Sequence, residues 1–198
     1  MTTTASAAPT ASACLRRAAF IDRDGVINEE RNYDHRIEDF VLLPGAIAGL
    51  RLLQEAGFAL VVVTNQAGIG RGLYTVDDYR RLEEHMVERL GESGIRLDGI
   101  YFCPHHPTKG IGDFKLDCDC RKPAPGMLLR AARELGLDLS RSVLVGDKVS
   151  DLQAGRAAGL ARCVLVRSGH ALAPEEEAQA DGSFADLAEA AARLAGAP

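Results

Sequence analysis

A doubly wound α/β fold, with a parallel sheet between two layers of helices, is what this 198-residue sequence predicts. Short apolar runs alternate with longer helical patterns, a rhythm that calls for parallel strands joined by right-handed crossovers. The runs AAFI (18–21), ALVVV (59–63), GIYF (99–102), SVLV (142–145) and CVLV (163–166) are each too short for a helix and are bounded by polar residues or Gly. Composition agrees: 46% hydrophobic and 26% charged residues are ordinary globular usage for one domain of this length.

Taken in order, the first sixteen residues, MTTTASAAPTASACLR, carry no charge before Arg16 and no long apolar run. They read as a disordered tail, with neither a signal peptide nor a membrane span, ahead of a single domain over 17–198. After the first strand a helix is expected over 45–55, with Ile47, Leu50 and Leu53 inward and Gly57 as its stop. A second spans 76–91, capped by Thr75, with Val76, Tyr79, Leu82, Met86 and Leu90 on one face. Further helices are expected over 127–135 and 150–158, and the closing DGSFADLAEAAARLAGAP has helical spacing.

A net charge of −5 with no basic block argues against nucleic acid or an anionic membrane as partner. Five cysteines, two of them far from the other three, do not read as a disulfide framework, so a reducing cytoplasm is the expected compartment. With no large apolar patch legible, a monomer is expected.

In such sheets the ligand lies outside the carboxyl ends of the strands. DRDGVIN follows the first strand, TNQAGIGRG the second, CPHHP the third and GDKVSD the fourth. Asp22 and Asp24 can face the same side of the sheet while Gly25 turns the backbone away. Two carboxylates that close call for a cation, and Asp147 offers a third oxygen for Mg²⁺, which prefers oxygen ligands. The Thr64 hydroxyl and the backbone N–H groups of Asn65 and Gln66 can donate to phosphoryl oxygens, and Lys122 brings positive charge. Singly, these are also turn chemistry, a strand-end threonine and a surface lysine. Together they point to a phosphate ester.

Cys103 and His105 form a C-x-H pair and Cys118 and Cys120 a C-x-C pair, twelve residues apart. Three thiolates and an imidazole make a closed, structural Zn²⁺ site, with His106 competing for the place of His105. The loop between the pairs contains Pro107, Gly110 and Gly112 and has little apolar content of its own. Zinc would pin it, and would thereby place Arg121 and Lys122, which follow Cys120 directly. Only thirty-nine residues separate Asp24 from Thr64, so no large cap domain fits and the site should be open-mouthed.

DRDGVIN, an apolar strand ending in TN, a Lys ahead of a helix and VGDKVSD resemble the four motifs of the haloacid-dehalogenase-type (HAD) phosphatases, over about residues 18–168. Within that superfamily, TNQAGIGRG, CPHHP, CDCRKPAPGM and VLVGDK with VLVRSG are similar to the heptose bisphosphate phosphatases. The resemblance implies a Rossmann-like HAD core and a Mg²⁺-dependent phosphoric monoester hydrolase. Its substrate would be a small phosphorylated sugar, D-glycero-D-manno-heptose 1,7-bisphosphate, which loses its 7-phosphate to give heptose 1-phosphate for the nucleotide-activated heptose of lipopolysaccharide core.

The resemblance also implies roles for residues. Asp22 would be the nucleophile forming an aspartyl phosphate, and Asp24 the acid and then the base. Mg²⁺ would be held by Asp22, the Asp24 backbone carbonyl and Asp147, with Asp151 acting through water. Thr64 and Lys122 would stabilise the phosphoryl group, and Lys148 would orient the site. Glu30, Arg31, Asn32 and Tyr33, with Thr64, Asn65, Gln66 and Ala67, match family positions that contact substrate; Arg121 would add recognition. The family pattern favours His105 over His106 as zinc ligand. Val26 departs from that pattern, standing where many superfamily members have Thr. Two alternatives stay open: a histidinol-phosphate phosphatase, whose zinc loop should be shorter, and a zinc-stabilised binding module without catalysis, which the intact set Asp22, Asp24, Thr64, Lys122 and Asp147 disfavours.

Overall fold

Six parallel strands in the order β3-β2-β1-β4-β5-β6 form the sheet. The structure is a computed structural model, and it describes residues 15–31, 33 and 35–196. The strands are β1 (Ala18–Ile21), β2 (Ala59–Asn65), β3 (Gly99–Cys103), β4 (Val143–Gly146), β5 (Arg162–Val166) and β6 (Ser183–Phe184). The helices are α1 (Ala46–Glu55), α2 (Ala67–Gly70), α3 (Val76–Glu92), α4 (Gly126–Leu135), α5 (Val149–Ala157), α6 (Pro174–Glu177) and α7 (Leu187–Ala195).

Side chains alternate across the pleat, so each strand feeds two cores. Ala19 and Ile21 of β1 pack with Leu50 and Leu53 of α1, Met86 and Leu90 of α3 and Leu187 and Leu194 of α7. Ala18 and Phe20 turn the other way, toward Met127, Leu128 and Ala131 of α4 and Leu152 of α5. Because both faces are covered, the central strands are apolar throughout rather than alternating, and β1 and β4 are wholly buried. Among the described residues no large cap interrupts the stretch between Asp24 and Thr64, which holds a loop, a short 3-10 turn, α1 and the start of β2.

The helices lie where periodicity puts them, with their ends set by local chemistry. Gly45 does not join α1 but precedes it in the left-handed region at φ 83°, where its backbone comes close to the Asp186 carboxylate that caps α7. Thr75 caps α3 in a capping box with Asp78, the Asp78 N–H donating to Thr75 Oγ1 at 3.0 Å. Among the strands and α-helices, β6, α2 and α6 lie outside the sequence expectation: β6 is two residues inside the closing segment read for its helical spacing, and α2 and α6 are single turns too short to show a period.

Of the segment 1–16 expected as a tail, residues 1–14 lie outside the described residues, whereas Arg16 is bridged to Leu137 and paired with Asp98 at 2.9 Å. Among the described residues no helix is long and apolar enough to cross a membrane.

Candidate active site

The strand order reverses between β1 and β4, and the side chains delivered by their carboxyl ends meet there. β1 leads into Asp22 and Asp24, β4 into Asp147 and Lys148, and Thr64 is the penultimate residue of β2. Asp22, Asp24, Thr64, Lys122 and Lys148 line one open cavity of about 500 Å³. Asp147, fully buried, stands behind its wall.

Lys122 organises the floor. Its Nζ donates to Val63 O at 2.8 Å and lies 2.9 Å from Asp22 Oδ1 and 2.6 Å from Asp151 Oδ1. One backbone carbonyl and two buried carboxylates thus surround a single ammonium. Asn65 grips the main chain of this lysine, Nδ2 donating to Lys122 O at 3.0 Å and Oδ1 accepting from Lys122 N at 3.1 Å. Asp151, expected to act through water, is in direct contact with the lysine.

Asp24 sits in a separate network. Arg23, almost fully buried, donates to Asp24 Oδ1 from Nε at 2.9 Å and from a terminal nitrogen at 2.7 Å, with its guanidinium 5.4 Å from the Tyr79 ring centre. Asn28 Nδ2 donates to the same oxygen at 3.0 Å, and Gln66 Nε2 donates to Oδ2 at 2.9 Å and to Thr64 Oγ1 at 2.8 Å. Tyr74 in turn donates to Gln66 Oε1 at 2.6 Å. The Gln66 backbone N–H, expected to face phosphoryl oxygens, is instead taken by Cys103 O at 2.8 Å, because the chain has not yet left the β2–β3 pairing. Gln66 reaches the site through its side chain.

These surroundings push the carboxylates apart. Burial raises Asp22 to about 6, against the pull of Lys122, and burial followed by the charge of Asp22 raises Asp147 to about 8. Burial would raise Asp24 too, but Arg23 and the amides of Asn28 and Gln66 outweigh it and hold that carboxyl below its ordinary range.

Asp147 Oδ2 lies 2.5 Å from His170 Nδ1, while its Oδ1 is buried without a partner. Gly25, at φ 82°, and Gly169 flank it so closely that a Cβ on either would lie within 2.4 Å of Oδ2. The acidic atoms of Asp22, Asp147 and Asp151 all lie within 4.8 Å of one another. Three buried like charges and an orphaned carboxylate oxygen suit a divalent cation.

The expected substrate positions stand around the mouth. Glu30 pairs with Lys148 at 3.0 Å, Arg31 Nε donates to Glu29 at 2.8 Å, and Arg121 donates to His105 O at 3.2 Å. Tyr33 adopts φ 72° and lies against Arg71, which donates to its hydroxyl. Ala67 opens α2 at the cavity edge. Asn32 lies outside the described residues. Val26, where the sequence departs from the superfamily pattern, is buried in the core rather than in the site.

The four expected zinc ligands converge. Cys120 Sγ is 3.2 Å from Cys118 Sγ, 3.3 Å from Cys103 Sγ and 3.4 Å from His105 Nδ1, and Cys103 Sγ is 3.7 Å from His105 Nδ1 and 3.5 Å from Cys118 Sγ. A tetrahedral site with Zn–S near 2.3 Å has ligand-to-ligand edges of about 3.5–3.8 Å, close to these spacings. His106 is not part of the cluster; its Nδ1 accepts from the N–H groups of Thr108 and Lys109, closing the loop's own turn.

Arg23, Tyr74 and His170 were not legible as site residues. Arginine and tyrosine are ordinarily read as surface or core, and only the three-dimensional network shows otherwise. His170 had a signal: it stands in RSGH, just past the carboxyl end of β5, where a doubly wound sheet can also deliver a ligand.

Residues 119–190 match the HAD-hydrolase-like family. The D-glycero-beta-D-manno-heptose-1,7-bisphosphate 7-phosphatase of Yersinia pestis is 49% identical over 176 residues, 87% of this chain and 94% of that protein. The protein of the same name from Haemophilus influenzae is 46% identical over 91% of this chain and 99% of its own length. Among solved structures, the D,D-heptose 1,7-bisphosphate phosphatase of B. bronchiseptica, complexed with magnesium and phosphate, superposes with a TM-score of 0.77 at 33% identity, covering 90% of this chain and 97% of that one. Similarity of this extent makes the chain a member of the D-glycero-beta-D-manno-heptose-1,7-bisphosphate 7-phosphatase family of HAD-like phosphatases.

Proposed function

We propose that this protein removes the 7-phosphate of D-glycero-β-D-manno-heptose 1,7-bisphosphate, yielding heptose 1-phosphate and inorganic phosphate. The observation that carries the reading is Asp22: a buried carboxylate held through one oxygen at the floor of an open cavity. Its Oδ1 accepts from Lys122 and, at 2.8 Å, from the Arg23 N–H, which leaves Oδ2 to attack phosphorus. The P–O bond to C7 breaks as the P–O bond to Asp22 forms, and a proton from Asp24 passes to the departing alkoxide. Asp24 then takes a proton from the water that attacks the aspartyl phosphate, releasing phosphate and restoring Asp22. Arg23 holds Asp24 ionised in the ligand-free protein. The negative phosphoryl group arriving beside it raises its affinity for the proton it must carry.

The other residues position and neutralise. Thr64 Oγ1 accepts from Gln66, so its hydrogen is free to donate to a phosphoryl oxygen. Lys122, paired with Asp22 and Asp151, acts by its charge and by aiming Asp22. Asp22, the main-chain carbonyl of Asp24 and Asp147 would hold Mg²⁺, which when bound neutralises charge on the phosphoryl oxygens; the magnesium in the B. bronchiseptica relative supports this. Cys103, His105, Cys118 and Cys120 would hold a structural Zn²⁺. Lys148, Arg121 and the loop around Tyr33 suit the second phosphate and the sugar. The cytoplasm is the compartment this reading implies, in keeping with unpaired Cys103, Cys118, Cys120 and Cys163.

The test is phosphate release from the α and β anomers of heptose 1,7-bisphosphate and from histidinol phosphate, each with and without Mg²⁺. The β anomer should lead by about 10-fold or more in kcat/KM, the scale on which a pocket discriminates small differences in a substrate, and turnover should need Mg²⁺. Faster hydrolysis of histidinol phosphate would reject the sugar reading and keep the phosphatase.

A second expectation concerns pH. In the metal-free protein the folded carboxyls of Asp22 and Asp147 titrate near 6 and 8, above their unfolded values near 3.8. The folded state therefore binds more protons than the unfolded one, and their contribution to stability is present at low pH and lost as pH rises through 6 and 8. A bound cation reverses that loss. The rise in Tm on adding Mg²⁺ should be larger at pH 8 than at pH 5.5; an equal rise at both would count against carboxylate ligands.

A further inference from the structure

We propose that His170 is a positioning residue for the cation site: it donates from Nδ1 to Oδ2 of Asp147 and so fixes which carboxylate oxygen is left to the metal. The inference rests on the reading that Asp22 and Asp147 hold Mg²⁺. With a cation bound Asp147 is ionised and only accepts hydrogen bonds, so across the 2.5 Å contact the ring N–H is then the donor. That occupies Oδ2 and leaves Oδ1, buried and unpartnered, as the open oxygen.

The ring reaches Asp147 on a fixed strap. Ser168 Oγ donates to Gly25 O at 2.7 Å, tying the chain after β5 to the loop after β1, and Gly169 lies against the same carboxylate. Lys148 is another donor near Asp147, but its Nζ is 4.0 Å from Oδ2 and already paired with Glu30 at 3.0 Å. His170 is itself 43% exposed, which would suggest a dispensable surface contact were its partner not fully buried. A buried ligand carboxylate with one oriented donor depends on that donor for its geometry. Losing such a partner typically weakens metal binding about 10- to 100-fold.

The experiment is calorimetric titration of Mg²⁺ into the full-length, zinc-replete protein, comparing wild type with His170→Ala, His170→Asn and Asp147→Asn. His170→Ala should weaken Mg²⁺ binding about 10-fold, the lower end of that range because the ring is half exposed. His170→Asn, whose side-chain amide can donate from nearly the same place, should recover most of the loss. A simple packing role would not be rescued that way. If His170→Ala does not fold, His170→Phe keeps the ring without the donor and takes its place. Unchanged affinity in the donor-less variant while Asp147→Asn loses binding would overturn the role of His170 and leave the cation reading standing. No Mg²⁺ binding by wild type, or equal binding by Asp147→Asn, would overturn both.

Discussion

Asp22→Asn should lower kcat by about 10⁴-fold or more, the scale on which removing a covalent nucleophile acts, while the protein stays folded. The amide has no lone pair basic enough to attack phosphorus, and it fills the same space beside Lys122. Stability should not fall with it. Burial makes the ionised Asp22 unfavourable, as its upward shift to about 6 records, so a neutral side chain relieves repulsion with Asp151 and Asp24. Lys122 keeps Asp151 at 2.6 Å as a counter-charge. Phosphate release, Tm and zinc content measured on one preparation would check all three parts. Appreciable residual turnover would remove Asp22 from the nucleophile's place; lost turnover with a collapsed Tm would make its role structural.

The second large effect is expected at the zinc loop. Cys118→Ser should lower zinc content well below one per chain and reduce Tm by about 10 °C, corresponding to roughly 3 kcal/mol at about 2–4 °C per kcal/mol for a protein of this size. Besides the cluster, the loop is held by Phe114, which packs beneath it, by short turns and by a few main-chain bonds such as Ile111 N–H to Gly70 O at 2.8 Å. Activity should fall as well, because Lys122 lies two residues beyond Cys120 and inherits its position. Full zinc occupancy and an unchanged Tm would exclude Cys118 from the ligand set.

Much of this architecture was legible because its signals are local. Five apolar runs gave five strands, and the residues at and just past the strand ends, together with the lysine after the cysteine pair, brought Asp22, Asp24, Thr64, Lys122 and Asp147 together from the sequence alone. The Cys/His cluster was legible for a similar reason, since four candidate ligands within eighteen residues leave few geometries. The features that escaped depend on contacts between distant segments. β6 exists as a strand only because β5 is there to pair with it. The Gln66 side chain faces the site because Tyr74 and Cys103 fix its two ends. Arg23 lies inside because Asp24 and the Tyr79 ring receive it, against the usual preference of arginine for the surface.

Gly25 and Gly169 bear on how this family can vary. Neither supplies an atom to the reaction, yet their Cα atoms press on the Asp147 carboxylate from two strands' ends, and any side chain there would have to displace it. In a library of variants, these two positions would be as unforgiving as Asp22, while exposed Leu73 and Val87 have room to change. Intolerance to substitution and participation in chemistry are separate properties here, and an inventory of invariant positions would count backbone clearance as catalysis.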